Sequence, residues 1–155
     1  MQKAEFLGGK KRICSSHMPR QHYQADAVVV WCFDKRCQNA LLNFLGEKGL
    51  RAEDLIQAAG GLQPLTSPEK KEYREFMLMQ VQASIALHKS PVVYLMAHSD
   101  CGKYGGLEKF GGNEDREFEY LMNEMDKAEQ HLRPNLPPTV KIAKVFGDPE
   151  GVWQV

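Results

Sequence analysis

Five residues of this chain are of types that can do chemistry together. Cys32, Asp34 and Arg36 lie in the stretch WCFDKRC, residues 31–37, and His98 and Cys101 lie in HSDCG, residues 98–102. A histidine and a cysteine three positions apart, in a turn eased by Gly102, can bring an imidazole and a thiolate to one ion. Cys32 would complete a Cys2His set. Zinc takes such ligands readily, and three protein ligands leave a fourth tetrahedral position open, whereas structural sites usually fill all four. Two thiolates neutralise Zn²⁺, so the pull on a bound water is weaker than in a three-histidine site. A positioned carboxylate that accepts the water's hydrogen bond would help. Asp34 is placed for that role, with Arg36 holding it in a bidentate pair and keeping it ionised. Alternatively, Asp34 binds the zinc itself as a fourth ligand and closes the site. The bland readings are buried small thiols for Cys32 and Cys101 and a structural ion pair for Asp34 and Arg36.

Residues 32 and 98 meet only if their elements deliver them to one place. The run ADAVVVWCF is continuous, apolar and rich in Val, as expected of a central parallel strand ending near Cys32. A helix follows over RCQNALLNFLGEKGL, with Cys37, Ala40, Leu41, Phe44 and Leu45 inward and Gly49 as its C-cap. EDLIQAAGG reads as a short strand ending at Gly60-Gly61. A long helix is predicted over LTSPEKKEYREFMLMQVQASIALHK, capped by Ser67, with Pro68 at its first position and Glu69 in its first turn. Its core stripe would be Tyr73, Phe76, Met77, Val81 and Ile85. SPVVYLMAH is a second apolar strand. A glycine-rich loop at 101–114, read as flexible, leads to a helix with Phe118, Leu121, Met122, Met125 and Leu132 inward. TVKIAKVFG is a later strand, and VWQV a short final one after the turn Asp148-Pro149-Glu150-Gly151. This alternation predicts an α/β fold of three layers, with a mainly parallel central sheet between helices. In a 2-1-3 strand order, the switch point where ligands bind lies between the first and third strands, so the tips at Cys32 and His98 should meet.

Composition narrows the function classes. The 155 residues suggest one domain. Twenty basic and twenty acidic residues cancel, giving no electrostatic reason to expect nucleic acid or an anionic membrane. No apolar run is long enough to span a bilayer, and the first residues carry no apolar signal region, so the expected location is cytoplasmic. The four cysteines, Cys14, Cys32, Cys37 and Cys101, then read as ligands, catalytic thiols or core residues rather than disulfides. No Cys-x-x-Cys is present, which counts against a zinc ribbon or a thioredoxin-like site.

At these motifs the sequence resembles the β-class carbonic anhydrases. Their signature is Cys-x-Asp-x-Arg at the end of one strand, then His-x-x-Cys-Gly after a later one. Here it appears as Cys32-Phe33-Asp34-Lys35-Arg36 and His98-Ser99-Asp100-Cys101-Gly102. The flanks AVVVWCFDKR and PVVYLMAHSDCG are similar to the family's metal-bearing strands, and KIAKVFGDPEGVWQV to its closing strand and turn. The resemblance covers roughly residues 25–155. It implies a 2-1-3-4 strand order with a short final strand, in a single domain, 1–155, of which 1–24 is an N-terminal arm. It also implies a Zn²⁺ cofactor held by Cys32, His98 and Cys101, and a zinc-bound hydroxide that attacks CO2 to give bicarbonate. Asp34 and Arg36 would be the catalytic dyad that orients the hydroxide. A homodimer or higher oligomer is implied as well. The sequence departs from the family at Gln57 to Gly61, where an Arg-Asn-Ala-Gly-Asn-like stretch is common, and at Ala97, where glycine commonly precedes the ligand histidine.

Other residues draw plainer readings. Cys37 is read as core. Cys14 and His17 have a metal-compatible spacing but no second pair. His22, His88 and His131 are read as surface or capping residues, and Asp100 as a turn residue whose carboxylate binds nearby backbone N–H groups. The competing functions are hydrolysis of a related small substrate such as COS or CS2, a non-catalytic zinc-binding protein on the same fold, and thiol chemistry. Gln38 stands where a Cys-x5-Arg phosphatase loop starting at Cys32 would need arginine.

Overall fold

The computed structural model describes residues 2–155. Its centre is a five-stranded sheet of order β2-β1-β3-β4-β5, built from β1 (Ala27–Cys32), β2 (Glu53–Ala58), β3 (Val92–His98), β4 (Lys141–Gly147) and β5 (Val152–Gln154). The first four run parallel, and β5 returns antiparallel to β4. The 2-1-3-4 order with a short final strand matches the expectation. Every residue of β1 is buried, because strands flank it on both edges and helices cover both faces. That is why its sequence is an unbroken apolar run. β2 is an edge strand, only partly covered, and carries Glu53, Asp54 and Gln57.

Alternation along β1 divides the core in two. Val28, Val30 and Cys32 face one side. There they pack against Leu65 of α3 (Gln63–Thr66), Met77 and Val81 of α4 (Lys71–His88), and Leu121 and Met125 of α5 (Glu114–Leu132). Ala27, Val29 and Trp31 face the other side, against Leu41, Phe44 and Leu45 of α2 (Gln38–Glu47). The result is the three-layer α/β architecture. The first helix, α1 (Lys3–Leu7), buries none of its residues, and no residue from Gln2 to Gln24 is buried.

Three helix readings need correction. The long helix does not start at Ser67-Pro68. A short helix, α3, ends at Ser67, whose conformation (φ −134°, ψ 57°) is non-helical, and α4 begins at Lys71. Proline disfavours helical geometry in the residue before it, so Pro68 separates the two helices instead of opening the second. Ser67 caps nothing. Its hydroxyl bonds Glu124 at 3.3 Å, and Glu69, outside the helix, pairs with Lys103. The stripe on α4 is narrower than expected: Met77, Val81 and Ser84 are buried, while Tyr73 and Phe76 are exposed. On α5, Phe118 is largely exposed, although it meets Phe146 edge-on. Glu117 and Glu124 take inward places. Glu124 is tolerated there because Thr66 Oγ1, Ser67 Oγ and the Lys127 ammonium all bond its carboxylate.

The glycine-rich loop is also more ordered than its composition suggests. It forms two short 3₁₀ turns, Gly102–Tyr104 and Leu107–Phe110. Gly105, Gly106, Gly111 and Gly112 all have positive φ, so they are needed for the turns themselves.

Candidate metal centre

Cys32 is the last residue of β1, and His98 the last of β3. Adjacent parallel strands that end together place their tips side by side, and this pair straddles the switch point of the sheet. The chain after His98 makes a tight turn in which Asp100 has φ 51°, and this brings Cys101 back toward Cys32. One ligand atom each from Cys32, His98 and Cys101 then lies within 4.8 Å of the others. All three side chains are buried.

The glycine pair after β2 makes the convergence possible. A Cβ on Gly61 would stand 3.0 Å from the Cys32 backbone nitrogen and 3.2 Å from the Met96 carbonyl, and its φ is +56°. The crossover chain therefore passes directly beneath the β1 and β3 tips, where only glycine fits.

Protonation within the group is unusual. His98 Nδ1 lies 2.8 Å from the Ser99 carbonyl. A carbonyl can only accept, so Nδ1 carries a proton, and Nε2 is the ring atom that could bind a metal once its own proton is displaced. That Nε2 is buried and has no hydrogen-bond partner. The Cys101 thiol donates toward the Cys32 sulfur, which brings Cys32 down to about 4, and Cys101 is raised in turn by holding the shared proton. Burial acts to lower His98, but the neighbouring Cys32 and Cys37 sulfurs outweigh it and push the imidazole up to about 10. Two sulfurs and an imidazole crowded around retained protons, with one orphaned ring nitrogen, fit a soft or borderline dication that would replace those protons.

Asp34 is not part of that trio. Its Oδ1 accepts the Arg36 backbone N–H at 2.9 Å and so caps the 3₁₀ turn Lys35–Cys37. Arg36 Nε sits 3.1 Å and Nη2 2.8 Å from Asp34 Oδ2. These contacts, side chain first and then backbone, lower Asp34 to about 2. The carboxylate is therefore ionised and tied to arginine.

Three residues near the site carried no signal strong enough to single them out. Asp100 does bond a backbone N–H, that of Leu107 at 3.0 Å, but its other oxygen takes Arg36 Nη1 at 2.7 Å. Glu117 reaches from α5 to the Asp100 backbone N–H at 2.9 Å. Trp31, read only as a strand residue, is fully buried with its indole N–H unpartnered. It lines a cavity of about 320 Å³ together with Arg36, Cys37, His98 and Asp148. Cys37 is buried as expected, yet it also borders this cavity beside His98. His88 is no isolated surface residue, because its Nδ1 lies 2.8 Å from Asp54 Oδ2. Cys14 is exposed on the N-terminal segment. Among the described residues no helix is long and apolar enough to cross a membrane.

The family model described as "Putative carbonic anhydrase" matches residues 23–155. No curated protein is similar enough in sequence to match. Solved structures do match in fold. A β-carbonic anhydrase from Trichomonas vaginalis is 16% identical with a TM-score of 0.56, over 99% of this chain and 97% of that one. A carbonic anhydrase from Streptococcus mutans is 15% identical with a TM-score of 0.54, over 97% and 91%. A tetrameric β-carbonic anhydrase from Sordaria macrospora is 14% identical with a TM-score of 0.53, over 86% and 81%.

Proposed function

The chain belongs to the carbonic anhydrase family, and on that premise we propose that it catalyses the reversible hydration of CO2 to bicarbonate and a proton, with Zn²⁺ as cofactor. The observation that carries this reading is the orphaned His98 Nε2, gathered with the Cys32 and Cys101 sulfurs at the switch point while Asp34 stays tied to Arg36 beside them. Cys32, His98 and Cys101 would hold the zinc. When bound, zinc would supply a Lewis acid that makes water nucleophilic near neutral pH.

The remaining roles belong to the chain. Asp34, ionised and acceptor-only, is suited to take a hydrogen bond from the attacking water and so to aim its lone pair at the substrate carbon. Arg36 fixes the direction of that carboxylate. Its hold also favours the open reading over Asp34 as a fourth ligand, because a carboxylate swinging to the metal must first give up the Arg36 contacts. The cavity beside His98, about 320 Å³, is lined by Trp31 and Ala40 as well as by the charged Arg36, Asp100 and Asp148, and it is large enough for a substrate as small as CO2. The tetrameric β-carbonic anhydrase of similar fold supports an oligomer of this chain, a dimer or larger, built from a single domain, 1–155, with 1–24 as its N-terminal arm. Four free cysteines suit a cytoplasmic setting.

Zinc content and stopped-flow CO2 hydration at alkaline pH test the reading, with COS and CS2 as comparison substrates. One zinc per chain with a metal-dependent rate above buffer is the expected result. A zinc-loaded protein that leaves CO2 at the buffer rate would remove the reading. If it cleaved COS or CS2 instead, the substrate would be reassigned on the same site.

A further inference from the structure

Arg36 has two aspartate partners, Asp34 and Asp100. On one side are the Asp34 carboxylate contacts. On the other, Nη1 donates to Asp100 Oδ2 at 2.7 Å and Nη2 to the Asp100 carbonyl at 2.9 Å. The guanidinium thus spans the gap between the β1 tip and the ligand turn after β3. Asp100 is itself held twice. Its Oδ1 accepts the Leu107 N–H at 3.0 Å, and its own N–H is bound by Glu117 at 2.9 Å. Glu117 is almost wholly buried, so its carboxylate is an anchor on α5 and not a loose surface group. Asp100 also sits at φ 51°, a conformation that costs a non-glycine residue energy unless its surroundings enforce it.

We propose that Asp100 is a positioning residue for the Asp34–Arg36 dyad, and that Glu117 positions Asp100. This rests on the catalytic reading above. A single exposed ion pair holds geometry weakly, but a network with fork-like arginine contacts on both sides holds it well. The chain Glu117–Asp100–Arg36–Asp34 runs from the α5 helix to the carboxylate that would face the reacting water. It ties Asp34 to the same turn that carries His98 and Cys101. Without the Asp100 side, Arg36 is free to turn and Asp34 loses its fixed direction.

The test uses full-length, zinc-loaded protein and two readouts. The first is rotation of the Arg36 guanidinium, followed by ¹⁵N NMR of its side-chain nitrogens. The second is steady-state CO2 hydration, with kcat and KM separated. In Asp100→Gly the backbone adopts the same φ without cost and only the carboxylate is lost. This variant should keep one zinc per chain, show faster Arg36 rotation and lose about tenfold in kcat with little change in KM. Asp100→Asn retains an acceptor for Leu107 and tolerates the left-handed turn, so it serves if the glycine variant folds poorly. It should fall between wild type and Asp100→Gly in both readouts. Glu117→Leu should loosen Arg36 as well, and Glu117→Gln, which keeps an acceptor for the Asp100 N–H, should restore it. Unchanged Arg36 rotation in both Asp100 variants would overturn the proposal. So would unchanged kcat in both, provided the wild type is active. If the wild type itself shows no hydration, the catalytic reading falls, and Arg36 rotation alone still decides whether Asp100 holds it.

Discussion

Cys101→Ser, or His98→Ala, should lower zinc from one per chain to a small fraction, measured by metal analysis after gel filtration. Each removes one of the three donors proposed to hold the metal, and thiolate and imidazole would contribute most of such a site's selectivity. Asp34→Asn should keep the metal and lower kcat by about 100-fold, because it removes the acceptor proposed to aim the water. Asp34 lies near 2, well below the working range, since Arg36 stabilises its charged form. It therefore stays ionised down to strongly acidic pH. The pH–rate profile of Asp34→Asn should be the wild-type profile scaled down with the same midpoint, and a shifted midpoint would mean Asp34 titrates in the working range. At this scale the gathering of Cys32, His98 and Cys101 and the pairing of Arg36 with Asp34 were legible from type and spacing. The pairing of Arg36 with Asp100 was not, because Asp100 satisfies a turn whether or not arginine lies on its far side.

Elements decide whether those residues converge. Gly61 is the tightest point: a methyl there meets the Cys32 backbone, and the residue holds a positive φ. Gly61→Ala should cost about 2 kcal/mol or more, seen in urea unfolding, and should weaken zinc retention because the β1 and β3 tips must part. Leu121→Ala, in the fully buried row where α5 meets the sheet, should cost about 2–5 kcal/mol. Phe118→Ala should cost less, because Phe118 is 41% exposed whereas Leu121 is wholly buried. The strands were readable from their apolar runs, and α2 from its period. The α4 start was misread because Ser-Pro-Glu is both a good helix opening and a good helix separator. What decided it was α3, already helical up to Thr66, and the buried Glu124 that claims both the Thr66 and Ser67 hydroxyls.

On the scale of the whole molecule, stability should depend on metal and on acid. The proposed zinc would bind the folded site in preference to the unfolded chain, so a chelator should lower the melting temperature, and added zinc should restore it. Asp54, on edge strand β2, joins Tyr23 of the N-terminal segment to His88 at the end of α4. Burial raises its value, but hydrogen bonds from Ser84, Tyr23 and His88 outweigh it and leave the carboxyl below its ordinary value. A lowered folded value means the contribution is present above the unfolded carboxylate value of about 4 and fades as pH falls through the folded one. Asp54→Asn should therefore be less stable than wild type near neutral pH, and the two should converge in strong acid, as read by urea unfolding at each pH. The 2-1-3-4 order was implied by the family resemblance of the motifs at 32–36 and 98–102, whereas apolar runs and helical periods alone were enough to set the mainly parallel α/β sheet and the two strands that end at Cys32 and His98. That information is local, carried by side-chain polarity at periods of two and 3.6. Only the tertiary structure decided which buried faces admit Glu117 and Glu124, that Asp100 completes the grip on Arg36, and that Gly61 must be glycine. Those depend on distances between segments far apart in the chain, and no local pattern encodes a distance.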